Sequence, residues 1–198
     1  MPAFTRALVD VLLDTEDFFS RPASVPGAVA YFAGISVIAL AINWSLLWAG
    51  ITPAGLIPFE KILGTSDLAY AIPAIYFLVG FAFLAVYALA VSRILRRWKT
   101  ATPFRQVLAT AAYGLTPSVL TLWIPVLGVM LLLWSFYLIA MGLRVGNRAS
   151  LQTNAKASLL GGGLTAALVA AFLVGLGVVL VAAEGADPGL LWTVLVPL

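Results

Sequence analysis

Residues 106–143 read QVLATAAYGLTPSVLTLWIPVLGVMLLLWSFYLIAMGL, 38 positions without a single charged side chain. The hydrocarbon core of a bilayer is about 30 Å thick and takes about 20 helical residues. As one continuous helix the run would be about 57 Å long, nearly twice that thickness. It must fold back on itself. The expected reversal lies at Trp123 and Pro125, because tryptophan favours the membrane interface and proline favours the first turn of a helix. Pro117, further upstream, cannot donate to the carbonyl of Tyr113, so the third segment is expected to bend there, with the Thr116 hydroxyl reaching back to repair the gap.

Composition supports a membrane setting for the whole chain. Of 198 residues, 63% are hydrophobic and only 10% charged, with a mean hydropathy of +1.08, whereas soluble domains are about one-quarter charged. Uncharged runs of spanning length occur at about Gly27–Ile51, Leu68–Ser92, Phe104–Trp123, Pro125–Leu143 and Ala157–Ala183. The expected fold is an all-α, polytopic membrane helix bundle with five transmembrane helices. Residues 1–26 form a cytoplasmic N-terminal segment, 27–183 the membrane domain and 184–198 a short apolar tail outside.

Orientation follows from the basic residues, which are retained on the cytoplasmic side of spans. Arg6, Arg21, Arg93, Arg96, Arg97, Lys99, Arg105, Arg144, Arg148 and Lys156 fall on one side under the five-span division, and only Lys61 on the other. The N-terminus is therefore expected inside and the C-terminus outside. Merging the third and fourth runs would transfer Arg144, Arg148 and Lys156 to the outer face. The opening MPAFTRALVDVLLDTEDFF carries four acids and no signal-peptide pattern, so no cleavage is expected. Phe4, Ala7, Leu8, Val11, Leu12, Phe18 and Phe19 share one helical stripe opposite Arg6, Asp10, Asp14 and Asp17, which predicts an amphipathic helix docked on the protein's own cytoplasmic loops or on a partner. The loop GITPAGLIPFEKILGTSD is expected at the outer interface, as is Trp192 in the tail.

Helices in lipid pack through small residues. Gly163, Ala167, Ala171 and Gly175 recur every four positions and form a candidate helix-packing ridge, either inside the bundle or between two copies of the chain. Of the intramembrane polar residues, Asn43 is the most informative: its amide needs a partner, and an interhelical hydrogen bond is expected, with a pore or substrate contact as the alternative. Ser118 is a second. Arg93, Arg96, Arg97, Lys99 and Arg105 either contact anionic lipid headgroups or serve only to set orientation.

The missing residue types narrow the chemistry. The chain has neither Cys nor His, which removes thiolate sites, the commonest transition-metal ligand and the usual general base. No span holds an ionisable residue in its interior, which argues against proton coupling or a charged selectivity ring. Gly161-Gly162-Gly163 lacks the Lys-Ser or Lys-Thr of a phosphate loop. Asp10, Asp14 and Asp17 read as a solvated face, with a weak cation site as the alternative. Scattered basic residues make no nucleic-acid surface. No metal, cofactor or catalytic residue is expected, and the partners expected are membrane lipids, other membrane proteins or a second copy.

Ala112-Tyr113-Gly114-Leu115-Thr116-Pro117 resembles the Gly-Tyr-x-x-x-Pro signature in the third span of the Yip family, the Ypt/Rab-interacting membrane proteins, with Ala112 in place of the first glycine. FFSRPASVPG before the first span, the basic loop before the signature, the turn with Ile124-Pro125, and LLLWSFYLIAMGLR extend the resemblance from about Phe18 to Ala183. It implies five spans with the N-terminus cytoplasmic, Tyr113 and Pro117 as signature positions, and a role in membrane organisation or scaffolding. The long N-terminal region with the Asp-Leu-x-Gly-Pro-like motif of eukaryotic members has no counterpart among the 26 or so residues before the first span, and the compact chain looks more like prokaryotic members of a plasma membrane. The rival reading is a small-solute or lipid transporter or channel hinged on the bent third helix.

Overall fold

The computed structural model describes residues 3–21, 24–49, 66–100, 102–121, 124–147 and 149–183. Among them the chain is helical, in eight helices without a strand: α1 (Ala3–Leu13), α2 (Thr15–Ser20), α3 (Val25–Trp48), α4 (Ser66–Arg97), α5 (Phe104–Gly114), α6 (Thr116–Thr121), α7 (Pro125–Asn147) and α8 (Leu151–Ala183). Stretches of four are long and apolar enough to cross a membrane: Val25–Leu46, Phe77–Arg97, Met130–Asn147 and Leu151–Phe172. This is the architecture of a multi-pass membrane protein. Its outer surface agrees, for Leu78, Met130, Leu133, Leu164, Leu168 and Phe172 are all exposed, a density of outward apolar side chains that water tolerates poorly and lipid accepts.

Local chemistry explains the helix ends. Ser24 caps α3, its Oγ accepting from the Gly27 N–H at 3.2 Å, and Ser150 caps α8 in the same way through the Thr153 N–H at 3.1 Å. Helix α4 stops where Lys99 turns left-handed, at φ 60°. Beyond it the Thr100 N–H donates to the Leu95 carbonyl at 3.0 Å, the closing bond that usually accompanies glycine at this position. Helix α7 opens on Pro125, as expected. The single amphipathic helix expected over residues 4–19 is two helices, broken at Asp14, whose φ of −132° leaves the helical region.

Helices α5 and α6 form the centre of the bundle. Helix α5 packs on α3, α4 and α7, and α6 on α3 and α7, while α8 lies along α4 and α7. Small residues permit this enclosure. Ala109, Ala111, Ala112 and Gly114 are buried, and a Cβ on Gly114 would stand 2.5 Å from Ile139 Cγ1 and 3.2 Å from its backbone N. Around them Phe32, Tyr87, Val91, Leu95, Val107, Ile139 and Leu143 fill the core.

Within the bundle α8 packs on a face other than the expected ridge, which leaves contact between two copies as the reading of that ridge. Gly163, Ala167, Ala171 and Gly175 are exposed, and a Cβ on Gly163 or Gly175 would meet nothing within 4 Å. The face that turns inward carries Ala157, Ser158, Gly161, Gly162 and Thr165 instead. Val91 of α4 sits where a Gly161 Cβ would go, and Phe136 of α7 where one on Gly162 would. Hydrogen bonding favours this rotation: the Ser158 Oγ meets the Tyr87 hydroxyl and donates to the Phe136 carbonyl at 3.3 Å, so a polar pair reinforces the close approach.

Candidate functional site

The residues that interrupt the third segment come together at its centre. Helix α5 ends at Gly114, Leu115 stays near-helical at φ −77° and ψ −5°, and α6 begins at Thr116. The Tyr113 carbonyl, which Pro117 cannot serve, accepts from Thr116 Oγ1 at 2.6 Å. The Tyr31 hydroxyl stands 3.2 Å from the same Oγ1. A threonine hydroxyl has one proton, and here the carbonyl takes it, so the phenol is the donor in this second contact. Downstream, the Ser118 N–H turns to Ser135 Oγ on α7 at 3.2 Å, the Ser118 Oγ donates to the Leu115 carbonyl at 2.9 Å, and Thr121 Oγ1 donates to the Pro117 carbonyl at 2.7 Å. Every hydroxyl of α6 donates to a carbonyl three or four residues upstream, and that of Thr116 serves the carbonyl that Pro117 strands.

The N-terminal hairpin covers this centre. Phe4 of α1 lies on Tyr31 with ring centroids 5.2 Å apart, Tyr31 on Tyr113 at 4.8 Å, and Tyr113 meets Phe18 of α2 edge-on at 4.9 Å. Two glycines admit the inserted rings: Phe4 fills the space a Gly34 Cβ would need, 2.8 Å away, and Phe19 does the same at Gly142. Val11 is fully buried. On the outer side Arg21 clasps the two helices, pairing with Asp10 at 3.5 Å and with Asp17. The Asp17 hydrogen bond and charge, then the charges of Asp10 and Asp14, hold the Arg21 guanidinium above its ordinary pKa. The hairpin packs on the chain's own helices, α1 on α3 through Phe4 and α2 on α7.

Beneath α2 a cavity of about 520 Å³ opens where the start of α3, the start of α5 and the end of α7 converge. Phe19, Val25, Pro103, Ala109 and Val145 give it apolar walls, and Ser20, Arg21, Arg105, Gln106 and Thr110 supply polar ones. Thr110 is only 5% exposed. No sealed polar atom among the described side chains lacks a partner, and Thr110 has no hydrogen bond among the described residues, so its hydroxyl is accessible from the cavity that it lines. Arg105 has no ion pair among the described residues, in contrast to Arg21.

Tyr113, Thr116, Pro117 and Ser118 thus form one cluster. Asn43 stands apart, and the expected interhelical bond is replaced by donation from Nδ2 to its own helix at the Ala39 carbonyl, 2.8 Å away. A helical asparagine has that local acceptor in reach, and among the described residues it is the partner that Asn43 takes. Arg93, Arg96, Arg97 and Lys99 are exposed at the end of α4, while Arg105 lines the cavity. Trp123, Lys61, Arg148, Trp192, the loop at 50–65 and the tail at 184–198 lie outside the described residues. Among the described residues no group of three or more His, Cys, Asp or Glu side chains converges on a metal position.

One feature escaped sequence reasoning altogether. Asn147 Nδ2 donates to Asn154 Oδ1 at 2.8 Å and to Thr102 Oγ1 at 3.0 Å, and Asn154 Nδ2 returns a bond to Asn147 Oδ1 at 3.1 Å. The reciprocal amide pair ties the α4–α5 connection to the α7–α8 connection. Its only signal was two asparagines flanking a short turn. Comparison with family models, with curated proteins and with solved structures finds no match for the chain.

Proposed function

We propose that the chain is a five-span, Yip-like integral membrane protein of a prokaryotic plasma membrane, which acts without catalysis in membrane organisation or scaffolding through lipid and protein contacts. The observation that carries this reading is the enclosed third segment: the Thr116 hydroxyl satisfies the carbonyl that Pro117 strands at Tyr113, and the rings of Tyr31 and Phe18 pack on Tyr113. In the proposed topology α5 and α6 cross together as one broken span of 18 residues, about 27 Å long. The cavity lining supports the directions, since Val25, Pro103 and Gly146 share one level; α3 and α5 start where α7 ends. That level belongs to the basic, cytoplasmic side, with the C-terminus outside.

Because the chain has no cysteine, single introduced cysteines report topology without background. In intact cells K61C should react with an impermeant maleimide, whereas K99C and K156C should react only after permeabilisation. Labelling of K156C from outside would overturn the five-span topology. For the scaffolding role, crosslinking in the native membrane should capture the protein with constant partners. A chain that always stays alone and monomeric would speak against it.

A further inference from the structure

We infer that the cavity beneath α2 is a binding site for a phosphate-bearing anion, presented on the cytoplasmic level of the bundle. The inference rests on the lipid-contact reading above and gives it a location. Three residues of α5 line it with polar groups. Arg105, on the first turn of α5, lines the cavity with no acidic partner among the described residues. Its planar fork suits the paired oxygens of a phosphate. Thr110, five residues on in the same helix, is nine-tenths buried, lines the cavity and has no hydrogen bond among the described residues. Gln106 adds an amide, held against the bare backbone of Gly146, where any side chain would collide with it.

Arg21 completes the set from the opposite side. Its exposed pairing with Asp10 and Asp17 is weak enough for the guanidinium to exchange one carboxylate for a phosphate oxygen. Phosphate binding would then pull on the clasp that holds the α1–α2 hairpin. The remaining wall, made by Phe19, Val25, Pro103, Ala109 and Val145, suits an apolar portion beside the phosphate. A volume of about 520 Å³ falls within the usual range of about 300–1,000 Å³ for small-molecule sites. The phosphate can come from an anionic phospholipid headgroup or from a soluble phosphorylated compound.

The test uses the full chain in mild detergent, with phosphatidylglycerol in one arm and inorganic phosphate in the other. Adducts are counted by native mass spectrometry and stabilisation by thermal melting. Phosphatidylglycerol should form a single saturable adduct that raises the melting temperature, and R105Q should weaken it by about tenfold or more, the loss expected for one charge-assisted contact. T110V should weaken it less, while R97Q, altered off the cavity, should bind as the wild type does. Saturable binding of inorganic phosphate with the same Arg105 dependence would support the site with a soluble ligand. Equal losses in R97Q and R105Q, or no saturable adduct in either arm, would overturn the proposal. Cysteine labelling is independent of these measurements, so failure here is distinguishable from failure of the five-span reading.

Discussion

The third segment and α8 both concentrate residues that weaken helices, and they resolve them in opposite ways. Around Pro117 the helix breaks between α3 and α7, whereas α8 runs unbroken from Leu151 to Ala183 through Gly161, Gly162, Gly163, Gly175 and Gly177. Proline deletes a backbone donor and strands a carbonyl, so a proline break in a membrane needs protein around it. Glycine keeps its N–H and continues the ladder. It can face lipid at Gly163 or a neighbouring helix at Gly161, and position alone decides which.

The strongest test of that contrast sets Gly161→Leu against Gly163→Leu. The first forces a side chain into the position held by Val91 and should cost about 3 kcal/mol, at the upper end for overpacking. The second enters open space and should stay within about 0.5 kcal/mol, as ordinary surface substitutions do. Reversible unfolding in mixed micelles measures both, and equal losses would mean that the ridge at Gly163 is packed after all.

A double-mutant cycle asks whether the break is repaired as described. Thr116→Val strands the Tyr113 carbonyl and should destabilise by about 2 kcal/mol. Adding Pro117→Ala restores the missing N–H, so the pair should lose about 1 kcal/mol less than Thr116→Val alone. Simple additivity would show that Thr116 contributes nothing to the repair.

The pin at the opposite end of the helices should matter less. Asn154→Leu removes one partner of the reciprocal amide pair and leaves Asn147 half-satisfied, at a cost of about 1–2 kcal/mol, visible as a lower melting temperature. The smallest effect concerns Lys99, whose left-handed φ of 60° is strained for a lysine. Lys99→Gly should stabilise by less than about 1 kcal/mol, and a loss of stability there would show that the lysine side chain has its own contact.

Several local features could be read from the residues because their partners lie within one helical turn. Thr116 repairs Tyr113 three positions upstream, and Pro125 opens α7. Other features could not. Helix α8 is apolar on every side, so a four-residue repeat of small residues identifies a ridge without saying which way it points, and that of Gly163, Ala167, Ala171 and Gly175 faces outward. Asn43 illustrates the same limit from the polar side, since its need for a partner is met equally well within its own helix. The cavity drew Arg105 away from the basic stretch with which it was grouped, and it gathered Arg21, Gln106 and Thr110 from segments up to about eighty-nine positions apart in the chain, since loop closure over such distances costs little extra once the bundle is formed.

What the chain's composition settles is the set of long apolar helices and the point at which residues 106–143 reverse, because transfer into lipid depends on run length and charge and not on neighbours. Packing settles the rest: the rotation of α8, the enclosure of α5 and α6, the seating of the α1–α2 hairpin on Tyr31 and Tyr113, and the cavity that follows from it. On helices apolar all round, hydrophobicity has no preferred direction. Contact with another helix supplies it, through the clearance at Gly114 and Gly161 and the hydrogen bonds that only facing helices can make.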